Sequence, residues 1–160
     1  MPVTVRPAEP NDAALIYGFI RDLAEYEKLL EEVTATEDGI ARDLFGDNPR
    51  VFCDIAEVDG EPVGFAVWFY NYSTFWGRHG IYLEDLFVRP QARGKGAGKA
   101  LLARLARRCV EEGLPRLDWA VLDWNAPSIA FYDSIGAEAL DDWIIRRLGG
   151  EALRKLAASI

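Results

Sequence analysis

The run Arg93-Gly94-Lys95-Gly96-Ala97-Gly98-Lys99 puts three glycines and three cations into seven residues. Glycines let a backbone approach a ligand closely and turn its N–H groups toward it. If a helix starts here, its N-terminus adds a partial positive charge, and the combination suits a phosphate or pyrophosphate. Two known phosphate motifs are excluded by position. A P-loop would need glycine where Arg93 stands and Ser or Thr where Ala100 stands, and a dinucleotide fingerprint would need glycine in place of Lys99 or Leu101. A flexible, solvated loop is the competing reading. Three glycines directly before an amphipathic segment count against it.

A second cluster lies just upstream. Tyr82-Leu83-Glu84-Asp85-Leu86-Phe87-Val88 sets two adjacent carboxylates inside an apolar, strand-like stretch. Burying them is costly unless they are paired. A regular strand would send Glu84 and Asp85 to opposite faces, whereas a β-bulge would re-aim them and free backbone N–H groups near Leu86 and Val88. Either one acid faces solvent and the other makes a structural ion pair, or the two form an acidic pocket wall beside the glycine turn.

The surrounding elements follow from hydrophobic period. Val3 and Val5 alternate with polar residues as a short strand. Pro10-Asn11-Asp12 starts a helix that carries Leu15, Ile16, Phe19, Ile20 and Leu23 on one face and runs to about Lys28. Thr36 opens a short helix with Ile40 and Leu44. Val51–Val58 and Val63–Tyr72 read as strands joined by the hairpin turn Asp59-Gly60. Ile81–Val88 is the next strand, and a helix from about Gly98 to Glu112 presents Leu101, Leu102, Leu105, Ala106, Cys109 and Val110 on one side. A strand at Leu117–Leu122, a helix from Ala126 to Gly136, a strand within Glu138–Leu148 and a last short helix complete the order. This predicts one α/β domain over residues 1–160, built around a mixed sheet.

Composition narrows the function classes. The chain has 160 residues, half of them hydrophobic, which suits one folded domain and excludes a disordered or fibrous protein. Its net charge of -8 argues against nucleic acid and favours a cationic partner. Cys53 and Cys109 lie in apolar runs without metal-ligand spacing, and His79 is the only histidine, so neither a disulfide scaffold nor a metal site is expected. The longest apolar stretch, Val63–Tyr70, has eight residues and is too short to span a bilayer, and the N-terminus shows no apolar signal region. A cytoplasmic protein without membrane association is the expectation.

With these residues in view, Leu83-Glu84-Asp85-Leu86-Phe87-Val88 followed by Arg93-x-x-Gly96-x-Gly98 resembles the acyl-CoA motif of the Gcn5-related N-acetyltransferases, the GNAT family. Leu23-Ala24-Glu25-Tyr26-Glu27, Tyr82-Leu83-Glu84-Asp85 and Trp124-Asn125-Ala126-Pro127-Ser128-Ile129-Ala130-Phe131-Tyr132 are similar to the diamine (spermidine/spermine) and thialysine N-acetyltransferases. The similarity runs from Val5 to the last helix. It implies a mostly antiparallel mixed sheet of six to seven strands with flanking helices. It also implies a V-shaped cofactor cleft where the strand ending at Val88 splays from Leu117–Leu122.

The resemblance further implies acetyl-CoA as cofactor, without a metal. Its pantetheine would run along Leu86, Phe87 and Val88, with a freed N–H polarising the thioester carbonyl. Arg93, Gly94, Lys95, Gly96, Ala97, Gly98 and Lys99 would hold the pyrophosphate, with Asn125, Pro127 and Ser128 nearby. Tyr132 matches the family's general acid. A phenol near ~10 can protonate a thiolate whose conjugate acid titrates near ~8.5. A primary amine near ~10.4 must lose a proton before it attacks, and Glu84, directly or through water, is the candidate base with Asp85 as its electrostatic partner. Tyr26, Glu27, Glu84, Asp85, Asp123, Trp124 and Asp141 would line the path of a small cationic amine, such as a polyamine, a diamine or a thialysine-like amino acid. A homodimer is implied as well. The segment Ala139-Leu140-Asp141-Asp142-Trp143 is shorter than in the diamine enzymes, which bears on the placement of Asp141. The alternatives are a protein lysine or N-terminal acetyltransferase and a non-catalytic acyl-CoA-binding sensor. Retention of Tyr132 and Glu84 speaks against the sensor.

Overall fold

The structure is a computed structural model that describes residues 2–160. The chain divides into two compact units, one ending at Ala120 and the other running Val121–Ile160.

The first unit is built on a sheet ordered β1 (Val3–Pro7), β2 (Phe52–Val58), β3 (Glu61–Ser73), β4 (Arg78–Val88) and β5 (Leu117–Trp119). The first four strands form an antiparallel meander, and β5 lies parallel to β4. The β2–β3 turn is the one the sequence announces: Asp59 and Gly60 both take positive φ, 53° and 80°, as a tight hairpin requires.

Alternation along the strands decides which residues face which helices. Helix α1 (Ala13–Tyr26) buries Ile16, Phe19 and Leu23 against Cys53, Ile55, Phe65, Val67 and Phe87. Helix α2 (Glu37–Phe45) adds Ile40 and Leu44 to the margin of this core, and its Thr36 cap accepts the Gly39 N–H at 3.0 Å. The intervening side chains of β2 and β3 face α3 (Ala97–Glu112). Here Trp68 lies under the Arg108 guanidinium at 4.7 Å and donates its indole N–H to the buried Asp54 at 3.2 Å. Arg108 also sits 3.9 Å from Asp54.

The second unit contains α4 (Ala126–Ser134) and α5 (Gly150–Ala157). Helix α4 ends as the Tyr132 carbonyl accepts the N–H of Ala137 at 3.1 Å, with Gly136 at φ 85°.

Two expectations need correction. Among the described residues the sheet has five strands, not six to seven. The segment 138–148 forms no strand, and its Trp143, Ile144 and Ile145 are 80%, 78% and 74% exposed. Apolar, β-branched content makes a segment competent for a strand, but only a ladder partner makes it one, and this segment has none among the described residues. The strand expected at Leu117–Leu122 is also shorter and stops at Trp119.

Candidate active site

The ladder between β3 and β4 carries a bulge. Val67 pairs with Asp85 and Trp68 with Leu83, so Glu84 is an extra residue with no partner on β3. The extra residue inverts the phase of β4. Leu83 faces α3 with Trp68, whereas Asp85 lies on the α1 face beside Val67, in line with Phe87. Without the bulge, Leu83 and Asp85 would share a face.

The parallel ladder from β4 to β5 ends at the same point. It includes Ile81–Leu117, Tyr82–Asp118 and Leu83–Trp119 and goes no further. From Glu84 to Val88, that edge of β4 has no ladder partner among the described residues. The Arg89 N–H donates to the Val63 carbonyl at 2.9 Å on the β3 side. By alternation, the N–H groups of Leu86 and Val88 point to the vacated edge. The chain thus offers a strand-like row of backbone groups on which an extended amide-containing ligand can pair.

The glycine turn follows directly. Gly94 and Gly96 are left-handed, with φ 81° and 88°, and a Cβ on either would meet nothing within 4 Å. Sterics of neighbouring atoms therefore do not require glycine here; the backbone conformation does, and it leaves open space beside the turn. Gly96 is the N-cap of α3, so the first N–H groups of that helix lack intrahelical acceptors. Lys95 and Lys99 are exposed beside them. This geometry fits the pyrophosphate of a coenzyme A carrier, and the free edge of β4 fits its pantetheine amides.

Arg93 is placed differently from the two lysines. Its Nε donates to the Val88 carbonyl at 2.9 Å, and its guanidinium lies 4.7 Å over the Tyr26 ring and 5.6 Å over that of Phe87. It joins the glycine turn to the end of α1. One strand-end residue along, Arg89 bonds Asp22 at 3.1 Å and covers Phe19 at 4.5 Å. No sequence motif pointed to either tie, because the partners stand far away along the chain.

Glu84, Asp85 and Glu27 form one acidic group. Glu84 is exposed at the bulge and Asp85 is half-buried. Burial pushes the Asp85 carboxyl up to about 7, and the charges of Glu84 and then Glu27 add to the shift. Burial also raises Glu27, just past the end of α1. Tyr82 is raised by burial and by the Glu84 charge.

In the second unit, Asn125 is buried and caps α4, its side-chain oxygen accepting the Ser128 N–H at 3.4 Å. Pro127 occupies the first turn and Tyr132 the last, with the Tyr132 and Phe131 rings 5.7 Å apart. Asp123 and Trp124 lie in the exposed turn before the helix, and Asp141 lies in an exposed turn after it. The structure thus groups Tyr26, Glu27, Glu84 and Asp85 with the glycine turn in one unit, and Asp123 to Ser128 with Tyr132 in the other.

Comparison with known proteins fits this arrangement. Residues 16–137 match the acetyltransferase (GNAT) family. A thialysine N-epsilon-acetyltransferase from Bos taurus is 39% identical over 166 residues, covering 97% of each chain. An integron cassette protein from the mobile metagenome of V. cholerae superposes with a TM-score of 0.82 at 29% identity, covering 99% of both chains. At the level of fold alone, an aminoglycoside N-acetyltransferase in complex with CoA matches with a TM-score of 0.72 at 20% identity, over 91% of this chain and 94% of its own. The chain belongs to the GNAT acetyltransferase family and is an N-acetyltransferase.

Proposed function

We propose that the protein moves an acetyl group from acetyl-CoA directly to the primary amine of a small cationic molecule, a polyamine, a diamine or a thialysine-like amino acid. The observation that carries this reading is the bulge at Glu84. It puts two carboxylates at the point where β5 leaves β4, one strand-end away from the glycine turn. The thialysine N-epsilon-acetyltransferase relative supports an amine acceptor.

The turn Arg93–Lys99, the β4 edge at Leu86, Phe87 and Val88, and Asn125, Pro127 and Ser128 are the residues proposed to hold the cofactor. When bound, acetyl-CoA supplies an activated acyl carbon and a thiol leaving group. The freed Leu86 or Val88 N–H would be placed to donate to the acyl oxygen and stabilise negative charge there, an oxyanion-type contribution. The Glu84–Asp85 pair, with Glu27 and Tyr26, attracts the ammonium group and takes the proton it must lose. Asp123, Trp124 and Asp141 are proposed to contact the remainder of the substrate. Tyr132 is proposed as the general acid: it would give its phenolic proton to the leaving thiolate and regain one from the acylated nitrogen, so the phenol would end as it began. No acyl-enzyme is required, and Cys53 and Cys109 are both buried and raised by burial, unlike nucleophilic thiols.

The test is thiol release from acetyl-CoA with a panel of polyamines, thialysine, lysine and short peptides. Turnover with a small amine and none with peptides supports the reading. Peptide turnover alone would replace it with a protein acetyltransferase, and silence across the panel would favour a sensor. A single domain and a dimeric assembly remain part of this proposal, with sedimentation as their check.

A further inference from the structure

We infer that Asp85, rather than its exposed neighbour Glu84, is the group that holds the proton taken from the substrate ammonium. The inference deepens the amine-acceptor reading above and rests on it. Glu84 is the candidate base beside the family resemblance, but nothing in the residue types themselves distinguishes two adjacent acids. The bulge does. It leaves Glu84 exposed and without a partner on β3, while it turns Asp85 onto the α1 face, opposite Val67 in the ladder and in line with the buried Phe87.

The groups that face Asp85 are mostly anionic or neutral. Glu84 adjoins it on β4, and Glu27 approaches from the end of α1. Cys53 of β2 lies on the same face, one strand beyond Val67, and burial keeps its thiol protonated. Arg93 lies over the Phe87 and Tyr26 rings and donates to the Val88 carbonyl. A carboxyl hemmed in this way titrates near about 7, where it can accept a proton and still give it up at neutral pH. An ordinary carboxylate is too weak a base for that task.

In the step, an ammonium N–H bond breaks and its electron pair stays on nitrogen. The proton forms an O–H bond with a carboxylate oxygen of Asp85, and nothing is oxidised or reduced. Glu84, in water, first attracts the ammonium and later passes the proton to solvent. Glu27 holds Asp85 basic by repulsion and acts as a positioning residue.

The first experiment needs no turnover: a 13C-carboxyl NMR titration of the ligand-free full chain labelled at aspartate, with the Asp85 resonance assigned by its loss in D85N. We expect a midpoint near neutrality, lowered in E27Q. A midpoint in the ordinary aspartate range near ~4 overturns the inference. The second is the pH profile of kcat/KM with an amine from the panel. We expect D85N to lose the acidic limb and at least about 100-fold in rate, D85E to restore part of both, and E84Q to raise KM while keeping the limb. The reverse pattern, with the limb lost in E84Q and kept in D85N, also overturns it. If no amine is accepted, the functional reading falls separately, and the NMR midpoint still decides whether Asp85 holds a proton at neutral pH.

Discussion

In the proposed mechanism Tyr132 and Asp85 carry opposite halves of the proton traffic, and different consequences of their removal are expected. Tyr132→Phe keeps the ring and loses only the hydroxyl. We expect kcat to fall about 100- to 1,000-fold with little change in the KM for acetyl-CoA, measured by steady-state thiol release. Asp85 also has a stability signature. Its folded carboxyl titrates near about 7, above the ordinary value of 3.8, so the native state binds the proton more tightly than the unfolded chain does. The native state is therefore favoured at low pH, and that advantage is lost as pH rises from about 4 through about 7. D85N should flatten this part of the stability curve. At pH 8 it should be more stable than the wild type, by on the order of 2 kcal/mol after solvent screening, in urea denaturation. A more stable and less active variant is the expected mark of a strained functional carboxylate.

At the scale of elements, α3 has two tasks: its N-terminus forms the end of the glycine turn, and its body must be fixed to the sheet. The anchor is Asp54, which is 2% exposed on β2, accepts the Trp68 indole N–H and faces Arg108 from α3. Removing only the cation leaves a buried carboxylate without its counter-charge. R108M should therefore destabilise the protein by about 3 kcal/mol, and adding D54N should recover much of the loss, because an amide oxygen still accepts from Trp68. Urea midpoints of the two variants check this. The turn itself is a matter of backbone. Gly96, at φ 88°, caps the helix, and G96A would strain that conformation by about 1 kcal/mol. The larger expected effect is on binding, a KM for acetyl-CoA raised about tenfold, because the N–H groups of the turn would lose their alignment.

The molecule as a whole is acidic, with a net charge of -8, yet Arg93, Lys95 and Lys99 are concentrated at the glycine turn. This distribution would attract the proposed cationic acceptor through the general field and an anionic carrier through a local one. Both attractions are screened by salt. Raising ionic strength from 0.05 to 0.5 M, values chosen to bracket a Debye length of about 10 Å, should increase the KM of a polycationic amine several-fold. A monoamine should respond less. Equal responses would show that the surface field does not act on the acceptor.

The sequence by itself determined the element order as far as α4, because hydrophobic period and turn chemistry are local. The Asp59-Gly60 hairpin and the Thr36 cap stand where their residue types put them, and α3 buries Leu101, Leu102, Leu105 and Cys109 as its pattern predicts, but Ala106 and Val110, expected on the same face, are exposed, Val110 to 81%. It also determined that a glycine turn precedes α3, and it narrowed Glu84 and Asp85 to a regular strand or a bulge, between which the β3–β4 ladder decided for the bulge. Pairing is not local, and tertiary structure decided everything that depends on it. The apolar character of 138–148 suggested a strand that has no ladder among the described residues, and β5 stops at Trp119 although the sequence continues in the same vein. The ties of Arg93 to Tyr26 and of Arg108 to Asp54 join residues with no sequence relation. Only the tertiary structure separated Glu84 from Asp85. One carboxylate is exposed and the other is half-buried on the α1 face opposite Val67, and solvation rather than residue type is what raises the Asp85 carboxyl.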